Sequence, residues 1–169
     1  MPRRHFSSNE KHSGSNEETI APNTLRLKLP RTVQARKLLG KSDRLVAVLQ
    51  SLWQERGGAP AEVEIHLVDE STIQQLHRDY LGDPSSTDII TFDLGMSPEQ
   101  IQLGSLYICP EVAARYAAKF EVTPQQEVQR LAAHGILHLL GYNDLSPQDK
   151  RRMRRAENKI LARIQKTGL

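Results

Sequence analysis

The stretch His134-Gly135-Ile136-Leu137-His138, continued by Leu139-Leu140-Gly141-Tyr142-Asn143-Asp144, constrains this chain more than any other. Read as the end of a helix over Pro124 to Leu140, it places two histidines one turn apart on one face, with Cβ atoms about 6 Å apart. Gly141 supplies the stop, because glycine enters the left-handed conformation after a last helical turn at little cost. The reversal can bring Asp144 over the histidine face as a third, oxygen ligand. Two imidazoles and a carboxylate, with a fourth position left for water, suit one hydrolytic zinc ion. A single buried histidine is more commonly a hydrogen-bonded core residue. Two at this spacing, followed at once by a helix stop and a carboxylate, reverse that preference. Asp144 could instead cap the final helix, but Ser146 suits that position better. Pro147 then falls at the first helical residue, where its missing N–H costs nothing, and Asp149 completes a variant capping box.

Around this helix the chain alternates between two hydrophobic periods. Leu25, Leu27 and Leu29 alternate with Arg26 and Lys28, the pattern of a half-buried strand. Val63, Ile65 and Leu67 repeat it around His66, which points to the opposite face and is read as structural or solvent-facing. Between these strands Leu45, Val46, Val48, Leu49, Leu52 and Trp53 recur at helical spacing until Gly57-Gly58. Asp69 or Ser71 can cap a further helix through Ile73, Leu76 and Tyr80 to Gly82. Thr87 to Phe92, β-branched and aromatic, reads as a third strand, Gly95 to Gln100 as a polar loop, and Leu103 to Ile108 as a fourth strand. Helices follow over Pro110 to Phe120, over Pro124 to Leu140 with Thr123 and Gln126 as its capping box, and over Pro147 to Ile164. The fold expected is α+β: a small mixed four-stranded sheet covered by about five helices, with the zinc site on a central helix. Residues 1–23 are rich in Ser, Asn, Glu and His and cannot bury enough surface to offset their ordering entropy. They are expected to be a flexible polar tail, with 24–169 a single domain, and His5 and His12 are given no ligand role.

The lone Cys109 cannot form an intrachain disulfide, which favours a reducing cytosol. No apolar stretch approaches the roughly 20 residues that span a bilayer. No hydrophobic signal region follows the basic Met1-Pro2-Arg3-Arg4-His5, and Glu10, Glu17 and Glu18 argue against a transit peptide. A cytoplasmic protein without a membrane partner is therefore expected. The formal net charge of +3 and the pI of about 9.1 are a mild basic bias, compatible with an anionic partner. Much of it sits on the last helix, where Lys150, Arg151, Arg152, Arg154, Arg155, Lys159 and Arg163 surround an apolar line of Met153, Ala156, Ile160 and Ile164. A solvated outer face and a phosphate-contacting surface both account for this pattern, the latter because the helix begins just after Asp144.

His-Gly-x-Leu-His-Leu-x-Gly-Tyr at 134–142 resembles the signature of the YbeY family of bacterial endoribonucleases and ribosomal RNA maturation factors. Thr87-Asp88-Ile89-Ile90-Thr91-Phe92 is similar to the family's Thr-Asp-Val-Leu-Ser-Phe strand, and Leu103-Gly104-Ser105-Leu106-Tyr107-Ile108 to its Leu-Gly-Asp-Ile-x-Ile strand. The resemblance covers about residues 25–165 and implies an α+β protein with one zinc at this helix, acting on RNA in ribosome biogenesis. Three positions depart from the family pattern. Asp144 stands where a third histidine is usual; carboxylate oxygen is a normal zinc ligand, but its charge makes the ion a weaker Lewis acid. Ser105 replaces the strand aspartate. Leu81 stands where the family places an arginine, in Leu76-His77-Arg78-Asp79-Tyr80-Leu81, and Arg78 lies one turn back as a substitute.

The function expected is metal-dependent, single-strand-directed endoribonuclease action in ribosomal RNA processing, with zinc ligands His134, His138 and Asp144. Arg151 and Arg155 are expected to contact RNA, which would be ribosomal RNA or ribosomal particles. Arg78 and Glu127, two turns before His134 on the same helix face, are the side chains offered for catalytic roles. The departures at Leu81, Ser105 and Asp144 lead to an expectation of weak activity, and a non-catalytic zinc-containing assembly factor is the main alternative. A zinc protease is disfavoured, because Gly135 stands where those enzymes carry a glutamate base. The oligomeric state and the particular RNA are left open.

Overall fold

The computed structural model describes residues 21–166, so the expected tail over 1–23, His5 and His12 included, lies almost wholly outside the described residues. Along the chain run β1 (Leu25–Lys28), α1 (Val33–Leu39), α2 (Ser42–Glu55), β2 (Ala61–Leu67), α3 (Glu70–Leu81), β3 (Ile89–Met96), β4 (Gln102–Ile108), α4 (Pro110–Lys119), α5 (Pro124–Leu139) and α6 (Pro147–Lys166). The strands form one mixed sheet in the order β1-β2-β4-β3. β1 and β4 each pair parallel with β2, while β3 pairs antiparallel with β4. The α+β architecture and the four-stranded mixed sheet match the sequence reading.

Helices α1, α2, α5 and α6 share one core with the sheet. Leu45, Leu49, Trp53, Val63, Leu106, Leu131, Ile136, Leu137 and Ile160 are buried in it. Trp53 is fully buried, and its indole N–H donates to the Ala59 carbonyl at 2.7 Å, so the large ring goes inside without stranding its polar atom. The other face of the sheet carries a smaller cluster in which Ile73 of α3 packs with Ile90, Cys109 and Val112. Strand alternation assigns the faces: on β4, Leu106 points toward α5, while Ser105 and Tyr107 point away.

Two elements differ from the sequence reading. Helix α1 was not anticipated; it is short, buries only Ala35 and Leu39, and leaves Val33 exposed. The Thr32 hydroxyl caps it by accepting from the Ala35 N–H at 3.1 Å. Strand β3 begins at Ile89 rather than Thr87 and continues to Met96, into what reads as a polar loop. Pairing with β4 carries it on through a register shift between Asp93 and Gly95, so a long-range ladder overrides the local turn composition. Among the described residues no helix is long and apolar enough to cross a membrane.

Helix α5 lies closer to the sheet than an ordinary side chain would allow. A Cβ built on Gly135 would meet Leu106 Cδ2 at 2.4 Å and Thr91 Oγ1 at 2.9 Å. Glycine inside a helix costs about 1 kcal/mol relative to alanine. Here its absent side chain is what lets the flanking His134 and His138 sit against β3.

Candidate metal centre

Helix α5 is fixed at both ends. The Thr123 hydroxyl accepts from the Gln126 N–H at 3.1 Å, while the Gln126 side chain accepts from the Thr123 N–H at 2.9 Å. At the other end Gly141, with φ of 86°, donates to the His138 carbonyl at 2.9 Å, and Tyr142 donates to the Leu137 carbonyl at 3.0 Å. This pair of bonds is a Schellman reversal, and it needs the left-handed residue that only glycine adopts freely. The reversal returns the Tyr142 carbonyl to within 2.9 Å of His138 Nδ1. It also carries Asp144 back over the histidines: one ligand atom each from His134, His138 and Asp144 lie within 4.8 Å of one another. Asp144 is not needed as a cap for α6, because Ser146 Oγ accepts from the Asp149 N–H at 3.1 Å.

The hydrogen bonds at the far side of each ring fix its tautomer. His138 Nδ1 faces a carbonyl, which only accepts, and His134 Nδ1 faces the Glu157 carboxylate at 2.7 Å. Both Nδ1 atoms must therefore carry the proton, leaving a lone pair on each Nε2 of the neutral rings. These two Nε2 atoms lie 2.9 Å apart, in rings nearly perpendicular at 84°. Two lone pairs facing each other repel, and a shared cation beside Asp144 removes that repulsion. The donor set thus fits a metal ion. Burial lowers the pKa of His138, and a proton on His134 would lower it further, so its neutral, ligating form is favoured.

Glu157 comes from α6 and is 5% exposed. Burial alone would raise its carboxyl, but the hydrogen bond from His134 and the charge of Arg130 outweigh that and hold it below the ordinary range. Arg130 reaches Glu157 Oε2 at 3.4 Å and grips Glu127 with two bonds, at 3.0 and 2.6 Å. Its Nη2 also lies 3.9 Å from Asp88 Oδ2. Burial raises the Asp88 carboxyl, and Arg130 offsets only part of that. A buried carboxylate that receives a ring N–H fixes the orientation of a metal-ligating histidine and increases its basicity. Sequence reading missed Glu157 in this role, although a carboxylate one turn after Met153 interrupts an otherwise apolar line.

The remaining sequence-assigned residues separate. Leu81, Thr91, Asp93, His134, His138 and Leu139 line a cleft of about 280 Å³, which β3 closes with Ile89 and Ile90. Leu81 is 60% exposed at this rim. Arg78 is exposed on α3 and does not line the cleft. Ser105 is buried on the face of β4 turned away from α5, so its substitution does not touch the histidines directly. Glu127 is buried with both carboxylate oxygens engaged by Arg130, an arrangement that orders Arg130 rather than presenting a free base. Arg151 and Arg155 are exposed on α6 and line a second cleft, which shares Tyr142 with the histidine site through that residue's carbonyl.

Comparison with known proteins places the chain in a family. The family model described as endoribonuclease YbeY matches residues 32–165. The endoribonuclease YbeY of Protochlamydia amoebophila is 37% identical over 128 residues, covering 74% of this chain and 85% of that protein. That of Thermobifida fusca is 38% identical over 110 residues, covering 60% of this chain and 71% of the relative. The solution structure of TM1509 from Thermotoga maritima superposes with a TM-score of 0.56 at 25% identity, covering 83% of this chain and 88% of that one. The sheet order, the histidine-bearing helix and the relatives together lead to one assignment: the chain belongs to the YbeY family.

Proposed function

We propose that this protein is a cytoplasmic endoribonuclease that hydrolyses single-stranded RNA during ribosomal RNA processing, using one zinc ion held by His134, His138 and Asp144. The observation that carries the reading is the pair of imidazoles with both Nδ1 protons committed elsewhere and both Nε2 lone pairs converging beside a carboxylate. Family membership supplies the substrate class, since the relatives are named endoribonucleases. When bound, zinc supplies Lewis-acid chemistry, polarising a phosphoryl oxygen and acidifying water. The chain's own part is to hold that chemistry still. Glu157 and the Tyr142 carbonyl set the two rings, Arg130 holds Glu157, and Leu81 with Leu139 leaves the cleft an apolar border that limits water around the reacting phosphate. Arg151 and Arg155 supply affinity for the RNA backbone.

Zinc analysis of the purified protein paired with cleavage of a labelled single-stranded RNA tests the reading. One zinc per chain with chelator-sensitive cleavage is expected; cleavage unaffected by complete metal removal would overturn it. A second reading, a metal-containing assembly factor without turnover, draws on one observation. Leu81 lines the cleft where the family places an arginine, and none of the residues lining it is a lysine or arginine. Zinc present with no cleavage would select that reading.

A further inference from the structure

The cleft between the end of α2 and the outer face of α6 has a volume of about 500 Å³ and is lined by Arg56, Tyr142, Arg151, Arg152, Arg155 and Lys159. We propose that it is a phosphate-binding track for the RNA strand flanking the cleaved bond, which makes binding and cleavage depend on strand length. The proposal rests on the endoribonuclease reading and deepens it, by saying where the strand runs and what the enzyme measures.

Four observations support it. First, none of the five cations has a carboxylate within ion-pair distance among the described residues. By contrast Arg115 pairs with Glu70, Arg130 with Glu127 and Arg163 with Glu55. Second, Arg151, Arg155 and Lys159 recur one turn apart, a spacing at which like charges destabilise a helix. A row of unpaired cations about 12 Å long suits an anion longer than a single phosphate. Third, the guanidinium groups of Arg56 and Arg152 approach the Tyr142 ring, at 5.5 and 4.9 Å from its centre. These cation–π contacts order two long side chains before any ligand arrives. Fourth, Tyr142 joins the cleft to the metal centre, because its carbonyl accepts from His138 Nδ1. A residue lining the cleft is thus in direct contact with His138.

The shape selects the partner class. A bilayer requires a flat or convex surface with apolar side chains to insert, whereas this cleft is concave and, Tyr142 and Ala156 apart, is lined by charged or amide side chains. Proximity to His138 through Tyr142 favours the polymer whose phosphodiester would be cleaved at the histidines. Single-strand contacts of this kind are sequence-independent and salt-dependent.

The test uses zinc-loaded full-length protein and fluorescence anisotropy on labelled oligouridylate of about 15 nucleotides, against a dinucleotide, over a range of salt. Wild type should bind the longer strand at least roughly tenfold more tightly, with a salt slope of several units. Arg152→Glu/Arg155→Glu should lose most of that advantage and flatten the slope by about one unit or more. Arg151→Gln/Arg155→Gln relieves like-charge repulsion within the row and keeps the Arg152–Tyr142 contact, so it should melt no lower than wild type while still losing affinity, which separates the track from a folding defect. His138→Ala should abolish cleavage yet keep length-dependent binding. Unchanged affinity and slope in both arginine variants would overturn the proposal, as would loss of binding to phosphatidylglycerol vesicles with RNA binding intact. If wild type cleaves no RNA but its length-dependent binding still needs Arg152 and Arg155, the track stands and the endoribonuclease reading fails.

Discussion

Two clefts are linked by Tyr142, which lines one and holds a histidine of the other, and they are built on opposite principles. In the histidine cleft every charged group behind the ligands has a partner. Arg130 is shared among Glu127, Glu157 and Asp88, Glu157 takes the His134 proton, and a main-chain carbonyl takes that of His138. On α6 the cations lining the other cleft have no carboxylate within ion-pair distance among the described residues, and Arg152 lies over an aromatic ring. A satisfied buried network fixes geometry, because each member loses more by moving than it gains. Unpaired exposed cations fix nothing, but they hold affinity in reserve for an anion. The contrast separates the buried face of α6, where Glu157 orients His134, from its exposed face, where the cations gather.

Breaking the ordered side should have the largest effect. His134→Ala removes one ligand and leaves Glu157 held by Arg130 alone, so zinc content measured by elemental analysis should fall from about one ion per chain to near zero. Full occupancy in that variant would remove the metal centre from α5 altogether. Asp144→Ala leaves two imidazoles and should weaken zinc affinity strongly in a competition titration with a chromophoric chelator. Affinity equal to wild type would make Asp144 a loop residue and send the search for a third ligand elsewhere.

Glu157→Gln sharpens the comparison further, since it keeps side-chain shape and touches no ligand atom. Zinc affinity should drop about 10- to 100-fold, the usual cost of losing such an orienting carboxylate. A variant indistinguishable from wild type would mean that Glu157 serves only to pair Arg130. Gly135→Ala forces the helix off the sheet through Leu106 and Thr91. The expected cost is about 1–3 kcal/mol in chemical denaturation, with zinc affinity reduced as the rings shift; no loss of stability would show that Leu106 yields freely. The smallest effect belongs to the attracting side. Arg155→Gln relieves repulsion from Arg151 and Lys159 and should change stability by only a few tenths of a kcal/mol, toward greater stability. A clear drop in Tm would show that Arg155 is held by contacts within the fold.

What the sequence made legible is what local chemistry encodes. The Thr123–Gln126 box, the Gly141 reversal and the Ser146–Asp149 cap all lie within a few residues of their partners, and each appears where spacing placed it. The convergence of His134, His138 and Asp144 is equally local, set by one helical turn and one reversal. The features that escaped depend on distant partners. Glu157 meets His134 across 23 residues, and β3 is lengthened by its ladder with β4 rather than by its own composition. Helix α1 is too short to display a period, since only Ala35 and Leu39 repeat on its buried side. Gly135 was legible only as a missing base; its packing role appears once Leu106 and Thr91 are seen beneath it.

The two histidines also differ in how exposed they are to mutation. His134 takes its orientation from a side chain, so a single substitution at Glu157 frees the ring. His138 takes its orientation from the Tyr142 main-chain carbonyl, which every amino acid at that position would still present. Position 142 can therefore change its side chain without disturbing the histidine it holds. Only Gly141, whose φ of 86° makes the reversal, stands between His138 and a similar fragility.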